Sequence, residues 1–268
     1  MSLMKYIRRL GTLLRQRVHG VVKGHRIAFI HIPKTGGSSI GVAIADSFGV
    51  LARVLPNRMV YVNAGASMDA ARLGGDELVG YREAVVRYFM QLRQVRYIGG
   101  HIPFSPAAKA EPGCDWDFVA VFRHPVKRWI SAYYYDRFKE SDHAKIDQDI
   151  ASFLSTDRGR NWGCMYVSLL CGKSIERDVV DQRILDEAIK NLGQFGVVGV
   201  LEHMDRFAAD YQERFGVKLN IGVTNQNPVK SYEEREEITP ELLAEIERVC
   251  EPDMAVYQAA LQIRKSSA

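Results

Sequence analysis

The sequence predicts an α/β fold: a three-layer sandwich with a central, mainly parallel sheet flanked by helices. Three observations carry this. Short apolar runs alternate with longer amphipathic segments along the chain, the pattern of strands joined by crossover helices. The run Asp117 to Phe122, Asp-Phe-Val-Ala-Val-Phe, is apolar on both faces, as a central strand covered by helices on both sides must be. A glycine pair also separates the first strand from the first helix, where open α/β sheets place a ligand-binding turn. With 268 residues, 47% of them hydrophobic and 25% charged, the chain has material for one large core. We expect a basic arm over 1–25 and a single domain over 26–268. The composition excludes disorder, collagen and coiled coil. No run approaches the roughly 18–20 apolar residues of a membrane span, and no charged-then-apolar start with a cleavage site is present, so a cytoplasmic location is expected.

The first strand is Ile27-Ala28-Phe29-Ile30-His31-Ile32, closed by the turn Pro33-Lys34-Thr35-Gly36-Gly37; a helix follows from Ser38 to about Phe48. Arg58 to Val62 reads as a second strand. Asp76 to Arg93 reads as a long helix, because Leu78, Tyr81, Val85, Tyr88, Phe89 and Leu92 recur at three- and four-residue steps. Tyr97-Ile98 makes a short strand ahead of the central one. Pro125 suits the first turn of a helix running to about Lys139. Helices over 147–155, 161–170 and 181–192 precede a buried strand from Gly196 to Leu201. Asp205 to Phe215 is helical, 216–235 is turn-rich, and Thr239-Pro240 caps a helical pair over 240–249 and 253–264.

Charge is unevenly spread. The first 45 residues carry eight Lys or Arg and no acid, so the remainder is net acidic although the whole chain is +4. Lys5, Arg8, Arg9, Arg15 and Arg17 alternate with Leu10, Leu13, Leu14 and Val18 in a weak helical pattern. Such an arm reads first as a solvated or docked terminal helix, and otherwise as a contact for an anionic membrane surface, glycan or nucleic acid; no specific nucleic-acid partner is expected. None of the four cysteines forms a C-x-x-C pair, so buried thiols are the expectation. Cys164 and Cys171 are seven apart, and whether they pair stays open.

Each of four predicted strands runs into a polar or charged residue: Lys34, His101, Arg123 and Glu202. In a parallel sheet those ends share one edge, and ligands of open α/β sheets bind at that edge, which makes Lys34, His101 and Arg123 candidates for a single site. The segment Pro33-Lys34-Thr35-Gly36-Gly37-Ser38-Ser39 has the features of a phosphate cradle. Its glycines let backbone N–H groups approach an anion, a helix N-terminus follows at once, and Ser38 and Ser39 add hydroxyl donors. It is not a Walker A loop, because its lysine precedes the glycines. Arg123 stands where many P-loop NTPases place an aspartate that helps to hold magnesium. An anion-rich nucleotide handled without a divalent ion is therefore expected, with no metal site.

The stretch His31-Ile32-Pro33-Lys34-Thr35-Gly36-Gly37-Ser38-Ser39 resembles the 5′-phosphosulfate loop of glycan sulfotransferases related to the uronyl and heparan 2-O-sulfotransferases. Val121-Phe122-Arg123-His124-Pro125-Val126-Lys127-Arg128-Trp129-Ile130-Ser131-Ala132-Tyr133 is similar to their 3′-phosphate motif, an Arg-x-Pro followed by Arg-x-x-Ser-x-Tyr. Weaker echoes at Gly100 to Phe104, Leu170 to Gly172, Val198 to Glu202 and Asn225 to Ser231 extend the likeness over residues 26–230, leaving the arm and the tail after about 235 outside it. The resemblance implies a P-loop-like sandwich and a donor, 3′-phosphoadenosine 5′-phosphosulfate (PAPS), whose sulfuryl group moves to a hydroxyl or amine of a carbohydrate acceptor. It also implies binding of the donor by Lys34, Thr35, Gly36, Gly37, Ser38, Ser39, Arg123 and Ser131, and catalysis by Lys34 and His101.

The residue chemistry fits independently. Lys34 can neutralise the phosphate leaving group, Arg123 offers a permanently charged fork for a 3′-phosphate, and a neutral imidazole at His101 can take the acceptor proton. A histidine that merely bonds backbone at a strand end is the alternative for His101. Arg128 either aims at the nucleotide or is a solvent-facing or salt-bridged arginine, with neither favoured. Trp129 and Tyr133 to Tyr135 read as core and helix-surface aromatics rather than an adenine box, and Glu202 as a carboxylate bonding loop amides. His31 reads as structural, and His19, His25 and His143 as surface. Arg82, Arg87, Arg93 and Arg96 would suit an anionic acceptor or form a solvated helix face. Two other readings stand beside the sulfotransferase: a P-loop nucleotide kinase, and a nucleotide-binding scaffold without turnover.

Overall fold

The computed structural model describes residues 21–140, 143–222 and 238–266. The expected arm up to residue 20, the Asn225 to Ser231 echo and most of the turn-rich stretch lie outside the described residues. Five strands form one sheet in the order β2-β3-β1-β4-β5, and every pairing is parallel. β1 (Arg26–Ile30) lies between β3 (Tyr97–Gly100) and β4 (Trp116–Phe122), with Ile30 opposite Gly100 on one side and Ala120 on the other. β2 (Met59–Val62) and β5 (Val197–Val200) are the edges. The α/β sheet flanked by helices is thus as expected, and the five residues of β1 and the seven of β4 are all buried. β1 is shorter than its apolar run. Ile32 N bonds Ile30 O at 3.1 Å instead of a neighbouring strand, which turns the chain out of the ladder.

Side chains alternate across the strands, so each face builds its own core. On one face, Ile27, Phe29, Val119, Val121 and Val197 pack with α1 (Gly37–Ser47) and α11 (Met204–Phe215). On the other, Ala28, Ile30, Phe118, Ala120, Phe122 and Val200 pack with α4 (Leu78–Gln91), α9 (Met165–Cys171), α10 (Gln182–Leu192) and α13 (Glu251–Ser266). A satellite cluster centred on Trp129, Tyr133, Phe153 and Ile246 joins α6 (Pro125–Phe138), α7 (Ile150–Leu154) and α12 (Pro240–Val249). The tail that falls outside the motif resemblance is therefore part of the core.

Three helices carry no sequence signal strong enough to anticipate them: α2 (Gly49–Val54), α3 (Ala64–Gly74) and α5 (Pro106–Ala110). α3 buries only Ser67 and Ala71, so it shows no apolar periodicity; its start is set by Asn63, whose side chain accepts from Ala66 N at 2.9 Å. The helix expected over 161–170 is broken into α8 (Asp157–Asn161), a 3-10 turn at Trp162–Cys164 and α9. The break has a cause in α13: Asp253 accepts from Tyr166 N at 2.8 Å and Val167 N at 3.3 Å, which starts a new helix there. All four cysteines are free, and Cys164 turns to Ile175 O at 3.1 Å rather than to Cys171.

Packing begins ahead of the expected boundary at residue 26. Val22 is buried and its N–H bonds Ser47 O at 2.9 Å, and His25, read as a surface residue, bonds Asp117 at 3.1 Å. Among the described residues no helix is long and apolar enough to cross a membrane.

Candidate functional site

α1 leaves β1 toward one face of the sheet while α5 leaves β3 toward the other. The adjacent carboxyl ends of β1 and β3 therefore open a crevice, the place where sheets of this kind bind ligands. The loop after β1 enters it in a constrained shape. Lys34 has φ +67 and Gly36 φ +76, and a left-handed lysine persists only where its surroundings hold it. Two bonds do so: Thr35 Oγ1 donates to Ile32 O at 3.0 Å, and Arg123 Nη1 donates to Lys34 O at 3.1 Å. The Thr35 hydroxyl is thus spent on holding the loop, which leaves its N–H as the group it can offer a ligand.

α1 starts from Gly36 with no side-chain cap and no acid in its first turn. The positive end of the helix faces the crevice with Ser38 exposed at its second residue. The second glycine of the loop has a different task from the one its sequence suggests: the His31 ring lies against Gly37, where any Cβ would collide with it. His31 itself is held neutral. Burial, then the neighbouring His101 and Lys34, lower it to about 3.

His101 follows Gly100, which has φ +132 and lies so close to Val62 O that a side chain would clash. This turn brings His101 Nδ1 to 2.7 Å from the carbonyl of His31, and the two rings to 4.5 Å between centroids. A carbonyl only accepts, so Nδ1 carries the proton and Nε2 keeps its lone pair. Burial holds His101 below its ordinary value, the backbone bond works against that, and the Arg82 charge adds to it. The imidazole is therefore a neutral, oriented proton acceptor at neutral pH. Nδ1 bonds backbone as the strand-end reading expects, and Nε2 is the nitrogen that a base would use.

Lys34 is half-buried, and its ammonium sits 3.6 Å over the ring of Tyr135. Burial lowers it to about 8, Asp136 raises it and Arg123 lowers it. Arg123, at the end of β4, is fixed through its backbone: the buried Tyr166 hydroxyl accepts from its N–H at 3.2 Å and donates to its carbonyl at 2.7 Å. One guanidinium arm is spent on Lys34 O; among the described residues no protein group bonds the others, although the Glu202 charge acts on them. Glu202 Oε1 accepts from His124 N at 3.2 Å, as expected of a carboxylate bonding loop amides.

Arg128 belongs to a different environment. It is fully buried, bonds Trp162 O, and pairs with the equally buried Asp253 at 3.7 Å. Burial pushes the Asp253 carboxyl up, while Arg128 and the α9 N–H groups pull it back. Trp129, Tyr133 and Tyr134 are buried in the satellite cluster, as the core reading expects. Ser131 is half-buried on α6, and its hydroxyl bonds no protein group among the described residues. It stands four residues before Tyr135 and so shares the helix face that meets Lys34.

Of the four upstream arginines only Arg82 acts on His101. Its guanidinium bonds Ser67 Oγ at 2.9 Å and Ala64 O at 3.0 Å. Arg87 pairs with Glu83 at 3.8 Å, while Arg93 and Arg96 precede β3 and lie toward the opposite edge of the sheet. Tyr135 is exposed, in keeping with a helix-surface aromatic, and it also meets Lys34, a contact that the sequence does not reveal. Its i, i+4 spacing from Ser131 marks only the shared helix face. Among the described residues no three His, Cys, Asp or Glu side chains gather where they could hold a metal ion. No protein-family model matches the chain, and no curated protein matches its sequence.

Proposed function

We propose that the protein is a sulfotransferase of P-loop-like fold that moves the sulfuryl group of PAPS to a hydroxyl or amine, with a carbohydrate as the acceptor. The observation that supports it most is one juxtaposition: a cation on the loop after β1 and a neutral imidazole after β3, whose Nδ1 bonds the chain at the root of that loop. Donor stabilisation and proton removal can then act on one reacting centre. The strand order, with ligand loops at the ends of β1, β3 and β4, fits a P-loop-like arrangement.

In this reading the open first turn of α1, with Ser38, receives the 5′-phosphosulfate, while the free donors of Arg123 and the Ser131 hydroxyl receive the 3′-phosphate. As the acceptor oxygen bonds to sulfur, the bond from sulfur to the bridging phosphate oxygen breaks. Lys34 neutralises the charge that collects on that oxygen, and His101 Nε2 takes the acceptor proton. The products are the sulfated acceptor and adenosine 3′,5′-bisphosphate.

Transfer of labelled sulfate from PAPS across a panel of glycans, phenols and amines is the direct test. Label on an acceptor supports the reading; a strict requirement for magnesium and ATP replaces it with a kinase. Calorimetry supplies a second check. Adenosine 3′,5′-bisphosphate should bind about ten- to a hundredfold tighter than AMP, because the 3′-phosphate adds a charge-assisted contact. Equal affinities remove the role of Arg123 and Ser131.

A further inference from the structure

Lys34 is the cation of the loop, yet no carboxylate lies within ion-pair distance of it among the described residues. What its ammonium touches is the face of Tyr135, at 3.6 Å. Tyr135 is 40% exposed and stands on the last part of α6, away from the packed aromatics Trp129, Tyr133 and Tyr134 of the same helix. A tyrosine that contributes little to the core and presents its ring to one lysine is placed for that lysine. We propose that Tyr135 is a positioning residue that holds the Lys34 ammonium at the mouth of the loop and releases it to an arriving anion. The release step rests on the sulfotransferase reading; the holding step does not.

The surroundings explain why a neutral holder suits this position. The groups that face Lys34 are Arg123 from the end of β4, His31 from the end of β1, and Tyr135 and Asp136 from α6. Arg123 repels the ammonium and the neutral His31 gives no charge. Asp136 attracts it from beside Tyr135 but is already committed to Lys139 at 2.8 Å and Arg158 at 2.9 Å. A carboxylate in contact would bind Lys34 in a pair that an incoming anion must break and leave unpaired. The electron-rich ring face instead stabilises the cation weakly and is indifferent to its departure. Ser131 is on the same face of α6, so an anion that reaches Ser131 passes beside the held ammonium.

The test is competitive acylation of Lys34 by trace acetic anhydride between pH 6 and 10, read by peptide mass spectrometry in the wild type, Tyr135→Phe and Tyr135→Leu. The wild-type midpoint should lie near 8. Phenylalanine keeps the ring face and should keep the midpoint, whereas leucine should lower it by about half a pH unit and increase labelling at fixed pH. An unmoved midpoint in Tyr135→Leu, with the fold intact by circular dichroism, overturns the holding role. In parallel, adenosine 3′,5′-bisphosphate should protect Lys34 from acylation in all three proteins. Protection together with an unmoved midpoint sinks Tyr135 alone; a shifted midpoint without protection sinks the release step and the donor reading while the holding role stands.

Discussion

In the proposed sulfotransferase reaction, Lys34 and His101 act in opposite protonation states, the amine charged and the imidazole neutral. Burial moves both in the same direction: the lysine falls to about 8 and the histidine falls below its ordinary value. The free-enzyme profile of kcat/KM should therefore rise through an acid limb below about 6.5, as His101 loses its proton, and fall through an alkaline limb near 8, as Lys34 loses its own. Lys34→Arg should remove the alkaline limb, because a guanidinium stays charged; an unchanged limb assigns it to another group. His101→Ala should lower turnover by about 10²- to 10⁴-fold and leave affinity for adenosine 3′,5′-bisphosphate nearly unchanged. Unaltered turnover with a verified acceptor shows that the base lies elsewhere.

On the scale of elements, the loop and its two flanking strands form one packed unit. His31 follows the last residue of β1, packs its ring against Gly37, and lends its carbonyl to His101 beyond β3. Gly37→Ala should accordingly lower the melting temperature and weaken nucleotide binding, since the new methyl group meets the ring. The double variant His31→Ala, Gly37→Ala should recover most of the melting temperature, because the smaller residue vacates that space. Purely additive losses in the two variants, measured by calorimetric melting, would falsify this contact as the reason for the glycine. The strand ends that carry Lys34, His101 and Arg123 were legible in the sequence, since apolar runs mark strands and a parallel sheet aligns their ends. The roles of Gly37 and Tyr135 were not, because both depend on a ring delivered from another element.

For the whole molecule, the distant tail secures the motif region. Asp253 on α13 caps α9, which carries the Tyr166 that brackets the Arg123 backbone, and it also faces Arg128 inside the same core. Asp253→Ala leaves a buried guanidinium without its counter-charge and two helix N–H groups without a partner, so unfolding by urea should show a loss of about 3–5 kcal/mol. A loss under 1 kcal/mol would show that the core relaxes around the vacancy. Acid should act through His31. Its folded value near 3 lies below the unfolded 6.5, so the unfolded chain binds more protons in that window and stability drops as pH falls through it. The slope is about 1.4 kcal/mol per unit for this group. The wild type should lose urea stability faster than His31→Asn between pH 6.5 and 4.5, and parallel slopes exclude this source.

The sequence by itself determined the α/β class, the order of strands and helices around the glycine loop, and the three residues that end β1, β3 and β4 at one edge. It could do so because periodicity and turn chemistry are local properties, and because parallel strands share a polarity. The tertiary structure alone decided which loop glycine is needed for a ring, which nitrogen of His101 is free, that Arg128 turns inward to Asp253, and that Lys34 rests on Tyr135. Those outcomes follow from contacts between residues far apart in the chain, where burial and close approach choose among arrangements that the local sequence permits equally.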